Sequence, residues 1–227
     1  MKKFTFVLFI FLCLNLAAHP NGATKEYSKE LAHYPSPLPD RVVLTWNDDP
    51  ATPQAVNWRT DISVKAGLAQ LAVANANGRA LKPNEFKAET SYFKSDINEA
   101  HYHSVTFKNL KPNTLYAYRV GDGDKFWSEW IHFKTARKGY SKTEFVFFGD
   151  SQNRLLSHWS RVIRMAYQTA PNASFAIHGG DLVDDAHRDY EWAEWFKAGG
   201  FIHSQWTNIC LLYTSDAADE EDSVDLG

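Results

Sequence analysis

Two aspartates in this chain stand directly behind glycine at the ends of apolar runs: Phe148-Gly149-Asp150 and His178-Gly179-Gly180-Asp181. A lone aspartate in such a place is commonly a turn former or a helix cap. A matched pair, about one strand–helix–strand unit apart, points elsewhere. In an open parallel sheet, ligands bind in the crevice outside the carboxyl ends of the strands. Two carboxylates meeting there repel each other unless a divalent cation lies between them, and such a cation also supplies catalytic charge. The chemistry that these residues suggest is therefore metal-assisted.

The surrounding residues predict the elements that would hold the two carboxylates. Phe145-Val146-Phe147-Phe148 is a continuous apolar run, as in a strand buried on both faces. Leu155, Trp159, Val162, Ile163 and Ala166 fall at helical spacing, and Pro171-Asn172 ends that helix. Phe175-Ala176-Ile177 reads as a second buried strand, and a second helix carries Tyr190, Trp192, Trp195 and Phe196 before Gly199-Gly200. This β-α-β-α order opens a parallel sheet whose two strands are neighbours or near neighbours. Trp192, Trp195, Phe196 and Trp206 are expected in its core. Upstream, from Arg41 to Thr135, short alternating stretches separated by Asp48-Asp49-Pro50, Asn75-Ala76-Asn77-Gly78 and Gly121-Asp122-Gly123-Asp124 predict an antiparallel β sandwich. The fold class expected is thus an all-β sandwich followed by the first βαβα part of an α/β domain.

Val105-x-Phe107-x-x-Leu110-x-Pro112-x-Thr114-x-Tyr116-x-Tyr118-x-Val120 resembles the late strands of fibronectin type III-like domains, with Tyr116 bonding back across a proline corner. Phe148-Gly149-Asp150-Ser151-Gln152 and Gly180-Asp181-Leu182-Val183-Asp184 resemble the first two motifs of calcineurin-like metallophosphoesterases. Together with Asp40-Arg41-Val42-Val43-Leu44-Thr45-Trp46, Asp49-Pro50-Ala51-Thr52 and Val56-Asn57-Trp58-Arg59-Thr60, they make residues 40–209 similar to bacterial purple acid phosphatase-like proteins. The resemblance implies a phosphate-ester substrate and two metal ions of the iron, zinc or manganese type. Asp150 would ligate the first and Asp181 would bridge both. Many relatives carry histidine where this chain has Gln152, which either ligates through its amide oxygen or stands aside. The family's iron-binding tyrosine is replaced by Asp184, so no purple tyrosinate–iron colour is expected. His178 is expected to be a strand-end histidine satisfied by backbone, while His158, His187 and His203 stay unassigned. The later Gly-Asn-His-Glu and Gly-His-x-His motifs do not occur in the sequence.

The expected division is a signal peptide at 1–18, a leader at 19–39, the fibronectin-like domain at 40–137, an incomplete phosphoesterase domain at 143–209, and a tail at 210–227. Lys2 and Lys3, the apolar run to Leu14, then Ala17-Ala18, have the form of an export signal too short to span a bilayer. The expected location is secreted or periplasmic, in a bacterium, without a stable membrane anchor. Both cysteines, Cys13 and Cys210, lie in the flanking segments, so the body has no disulfide and no thiolate chemistry. Six acidic residues crowd the end from Asp216 to Asp225. That tail resembles translated sequencing-adapter sequence, which implies that it is not native and that the chain is an inactive fragment. No basic stripe provides the electrostatic footprint of a nucleic-acid binder. The rival reading is a secreted binding or adhesion module carrying a degenerate phosphoesterase remnant.

Overall fold

The computed structural model describes residues 34–77 and 80–210. The expected signal peptide, most of the leader and the tail after Cys210 lie outside the described residues. Eleven strands form two sheets. The first eight are β1 (Asp40–Thr45), β2 (Gln54–Thr60), β3 (Leu68–Val73), β4 (Asn84–Lys87), β5 (Glu89–Lys94), β6 (Glu99–Phe107), β7 (Leu115–Gly121) and β8 (Ile131–Lys134). Then come β9 (Val146–Phe148), a π turn over Leu155–Trp159 running into α1 (Ser160–Thr169), and β10 (Phe175–His178). The last elements are α2 (Asp189–Gly199), α3 (Phe201–Gln205) and β11 (Thr207–Cys210).

A four-stranded sheet in the order β4-β3-β7-β8 faces β5-β6-β2-β1. Inward-pointing Leu44, Val56, Trp58, Leu71, Phe107, Tyr118, Val120 and Phe133 fill the space between them. The alternation read from the sequence produces this core, because successive strand residues point to opposite faces. The corner tyrosine is where the pattern predicts it: the Tyr116 hydroxyl accepts a 2.8 Å bond from the Lys111 backbone N–H.

The sheet does not stop at the sandwich. Beyond β1 it continues through β11, β10 and β9, all parallel, giving seven strands in the order β5-β6-β2-β1-β11-β10-β9. β9 and β10 are direct neighbours, as the single crossover predicts, whereas β11 was not foreseen. The helices form a second core with Phe148, Trp159, Ile163, Ala176, Trp195, Ile202 and Trp206.

One expectation is corrected here. Phe145–Phe148 is not buried on both faces: β9 is the outermost strand, and Phe145 and Phe147 are 51% and 59% exposed. The helices pack on the face bearing Phe148 and Ala176, and Phe145 and Phe147 lie on the other. Along β2 both faces are covered: Arg59 is fully buried beside Trp58, with its guanidinium reaching Asp189 at the start of α2.

Candidate functional site

The loops that follow β9 and β10 are tied together by their own backbones. The N–H groups of Ser151 and Gln152 both donate to the Asp181 carbonyl, at 3.1 and 2.9 Å, and Gly179 N–H donates to the Phe148 carbonyl at 2.8 Å. The Ser151 hydroxyl donates to the Leu182 carbonyl and accepts from the Trp195 indole N–H, fixing both loops to α2. This geometry needs unusual backbone. Gly180 has φ +114°, open to glycine, but Asp181 itself sits at φ +43°. A non-glycine residue held in that region costs free energy and persists where its surroundings over-determine it.

Of the three sequence-predicted site residues, Gln152 and Asp181 touch: Gln152 Nε2 donates to Asp181 Oδ2 at 3.0 Å. Asp150 stands in the same loop with an exposed side chain. All three are at the carboxyl ends of adjacent parallel strands. A two-metal centre needs more than this. Among the described residues, no three aspartate, glutamate, histidine or cysteine side chains are grouped so as to hold a metal ion. Two carboxylates and one amide, whose oxygen would be the ligand while its N–H donates to Asp181, are fewer donors than a two-metal centre takes.

Histidines do not fill the gap. His178 and His203 are buried beneath the loops, sharing Asn208. The Asn208 amide donates to the carbonyls of His203 and Trp206, so its Oδ1 faces both rings. His178 Nε2–H and His203 Nδ1–H each donate to it at 3.1 Å. His178 is thus satisfied by a side chain, not by the expected backbone, and its Nδ1 is buried without a partner among the described residues. Burial pushes both rings toward the neutral form, His203 down to about 4. His158 and His187 are exposed.

The loop between Asp181 and α2 is held by residues that sequence reading missed. The backbone N–H groups of Asp184 and Asp185 both donate to Glu191 Oε2 at 2.9 Å, and Arg188 bridges Asp185 and Glu191. Next to it, Asp189 opens α2 inside a buried charge cluster. Arg41 grips its carboxylate with two bonds of 2.7 and 2.9 Å; Asn98 adds a third at 2.9 Å, and Arg59 approaches to 3.5 Å. Burial alone would raise the Asp189 pKa, but Arg41, Asn98 and Arg59 together hold it below the ordinary value. Arg59 is neutralised from its other side by Asp40, at 2.8 and 2.6 Å. Arg41 reaches Asp189 because the β1 ladder bulges between Asp40 and Val43, with Arg41 at φ +49°. A bulge of this kind re-aims a side chain. The sandwich therefore grips the start of the helix that follows the Asp181 loop. Its only sequence signal is a pair of arginines on strands, without any hint of their partner.

Residues 39–135 match the family model of the purple acid phosphatase N-terminal domain. A solved purple acid phosphatase from yellow lupin (Lupinus luteus) seeds superposes with a TM-score of 0.62 at 18% identity, covering 76% of this chain and 34% of that one. The chain thus spans about a third of the length of that enzyme. The fibronectin-type domain of human contactin 1 matches over 56% of this chain and 100% of its own, at 17% identity and a TM-score of 0.33, too low to carry an argument. Residues 39–135 are thus similar to the N-terminal domain of purple acid phosphatases, and the lupin superposition shows that the shared fold runs beyond the sandwich.

Proposed function

We propose that the chain is the N-terminal part of an exported phosphoesterase that hydrolyses phosphate esters with metal-activated water, and that these 227 residues alone do not turn over substrate. The observation that carries this reading is the pair of loops at the ends of β9 and β10. They are locked together so that Asp181 and Gln152 meet and Asp150 stands beside them, in a chain bearing a purple acid phosphatase N-terminal domain. The shortage of ligands supports the second half of the proposal. The Gly-Asn-His-Glu and Gly-His-x-His motifs that would supply the missing donors are absent from the sequence.

Two measurements test it. Sequencing of the source DNA in long reads across the Ile209–Cys210 junction is expected to show a frame that continues into a Gly-Asn-His-Glu motif. A confirmed stop after the acidic tail would sink the enzyme reading and leave the secreted binding module. Separately, the 227-residue chain is expected not to hydrolyse an aryl phosphate with added zinc, manganese or iron. Robust metal-dependent turnover would show that the site is complete without those motifs.

A further inference from the structure

A cleft of about 680 Å³ opens at the seam between the sandwich edge and α2, with Ala186 and His187 of the loop after β10 in its lining. That size suits a small organic ligand. Its walls carry aromatic side chains from both sides: Phe93 on β5 and Tyr102 on β6, Trp192 and Phe196 on α2. The rings are held, yet none is sealed into the core. Phe93 is 53% exposed and meets Tyr102 edge-on at 6.0 Å. The Trp192 indole N–H is anchored on the Ala186 carbonyl at 2.9 Å, and the Arg41 guanidinium lies 5.7 Å from the centre of the Phe196 ring.

The cations around the cleft are paired: Asp189 takes both terminal nitrogens of Arg41, and Lys94 pairs with Glu99 at 3.2 Å. Asp96 accepts the Asp189 backbone N–H at 2.9 Å and keeps its negative charge. An anionic ligand would lose hydration and meet that carboxylate without gaining a counter-charge. Two donors remain. The Tyr102 hydroxyl accepts from Arg41 at 2.9 Å, and its own proton has no acceptor among the described residues. Arg41 Nε is buried without a partner among them.

From flat apolar walls, paired cations and spare donors, we propose that this cleft is a binding site for a neutral, planar aromatic compound bearing a hydrogen-bond acceptor. Its ring inserts between Phe93 and Trp192, where offset or edge-on ring contacts are favourable. Its acceptor takes the Tyr102 proton. The site is independent of the phosphoesterase reading and stands or falls separately from it.

Calorimetric titration of the full chain with methyl 4-hydroxybenzoate tests the proposal. The expected result is one saturable site, weakened roughly three- to tenfold by Phe93→Ala and by Trp192→Ala, the size of an aromatic pair contact. Tyr102→Phe, which keeps the ring and removes the hydroxyl that donates to the ligand and accepts from Arg41, should weaken binding by a similar factor, about that of one hydrogen bond. Phe93 is on an exposed edge strand, so that variant keeps its fold, as circular dichroism would verify. Absence of saturable heat overturns the proposal, as does unchanged affinity in Phe93→Ala. Equal binding of methyl cyclohexanecarboxylate would reduce the cleft to an apolar hole, and preferential binding of a methyl glucoside would make it a carbohydrate surface. Either result overturns the aromatic assignment.

Discussion

Asp189 is the residue on which the two parts of the molecule converge, and its energetics can be argued from burial. Its side chain is 5% exposed, and those of its partners Arg41 and Arg59 are 4% and 0% exposed. Removing the carboxylate leaves Arg41 charged and buried without its counter-ion, the costly way to break such a cluster. Asp189→Ala is expected to lower stability by about 3–5 kcal/mol in urea unfolding. A loss below about 1 kcal/mol, the worth of an exposed pair, would contradict the buried clasp. The buried histidines set a second, pH-dependent quantity. His103, between Thr60 and Thr90, and His203 are each pushed from the ordinary 6.5 down to about 4, chiefly by burial. Between those values the unfolded chain binds protons that the folded chain refuses, so stability must fall as pH falls. Melting temperature is expected to be level above about pH 7 and to drop toward pH 4.5, with a shallower slope in His203→Gln. A melting temperature unchanged across that interval would show that the rings are not held neutral.

At the scale of elements, β9 is the exposed point. It is three residues long, outermost in its sheet, and presents Phe147 to solvent beside Phe145, which stacks on Phe175 with ring centres 5.2 Å apart. An open strand edge next to an apolar face invites pairing with another chain. Phe147→Lys is therefore expected to reduce light scattering at a given concentration and to change the unfolding free energy by less than about 1 kcal/mol, as for other surface substitutions. If scattering stays the same, association runs through another surface. The opposite edge, β5, is different: its side chains border the aromatic cleft.

For the whole molecule, the continuous sheet changes what a domain boundary means. β1 pairs with β2 on one side and with β11 on the other, and the Tyr118 hydroxyl at the heart of the sandwich donates to the Ser204 carbonyl at 2.7 Å. Cutting after residue 138 would strip β1 of its parallel neighbour, orphan that hydroxyl and expose Arg41 and Arg59. A fragment covering residues 34–138 is expected to unfold at a lower urea concentration than the full chain and to bind an apolar dye more strongly. Equal midpoints would mean that the sandwich is self-sufficient and that the seam contributes nothing measurable.

The sequence by itself determined what depends on near neighbours along the chain. Alternation along Val105–Val120 yields the late sandwich strands with the Tyr116 corner, the helical spacing from Leu155 to Ala166 yields α1 with the π turn that leads into it, and each Gly-Asp pair marks a strand end. These signals are legible because strand pleat, helix period and glycine conformations are set by a few consecutive residues. Only the tertiary structure decided the rest. Arg41 and Asp189 are 148 positions apart, and nothing local tells a strand arginine that its counter-ion opens a distant helix. The same holds for Asn208, which serves two histidines from β11, and for β11 itself, inserted between β1 and β10. Whether Asp150, Gln152 and Asp181 gather enough oxygen donors for metal is also a question of convergence in space. The sequence supplied the residue types, and the fold brought two of the three into contact.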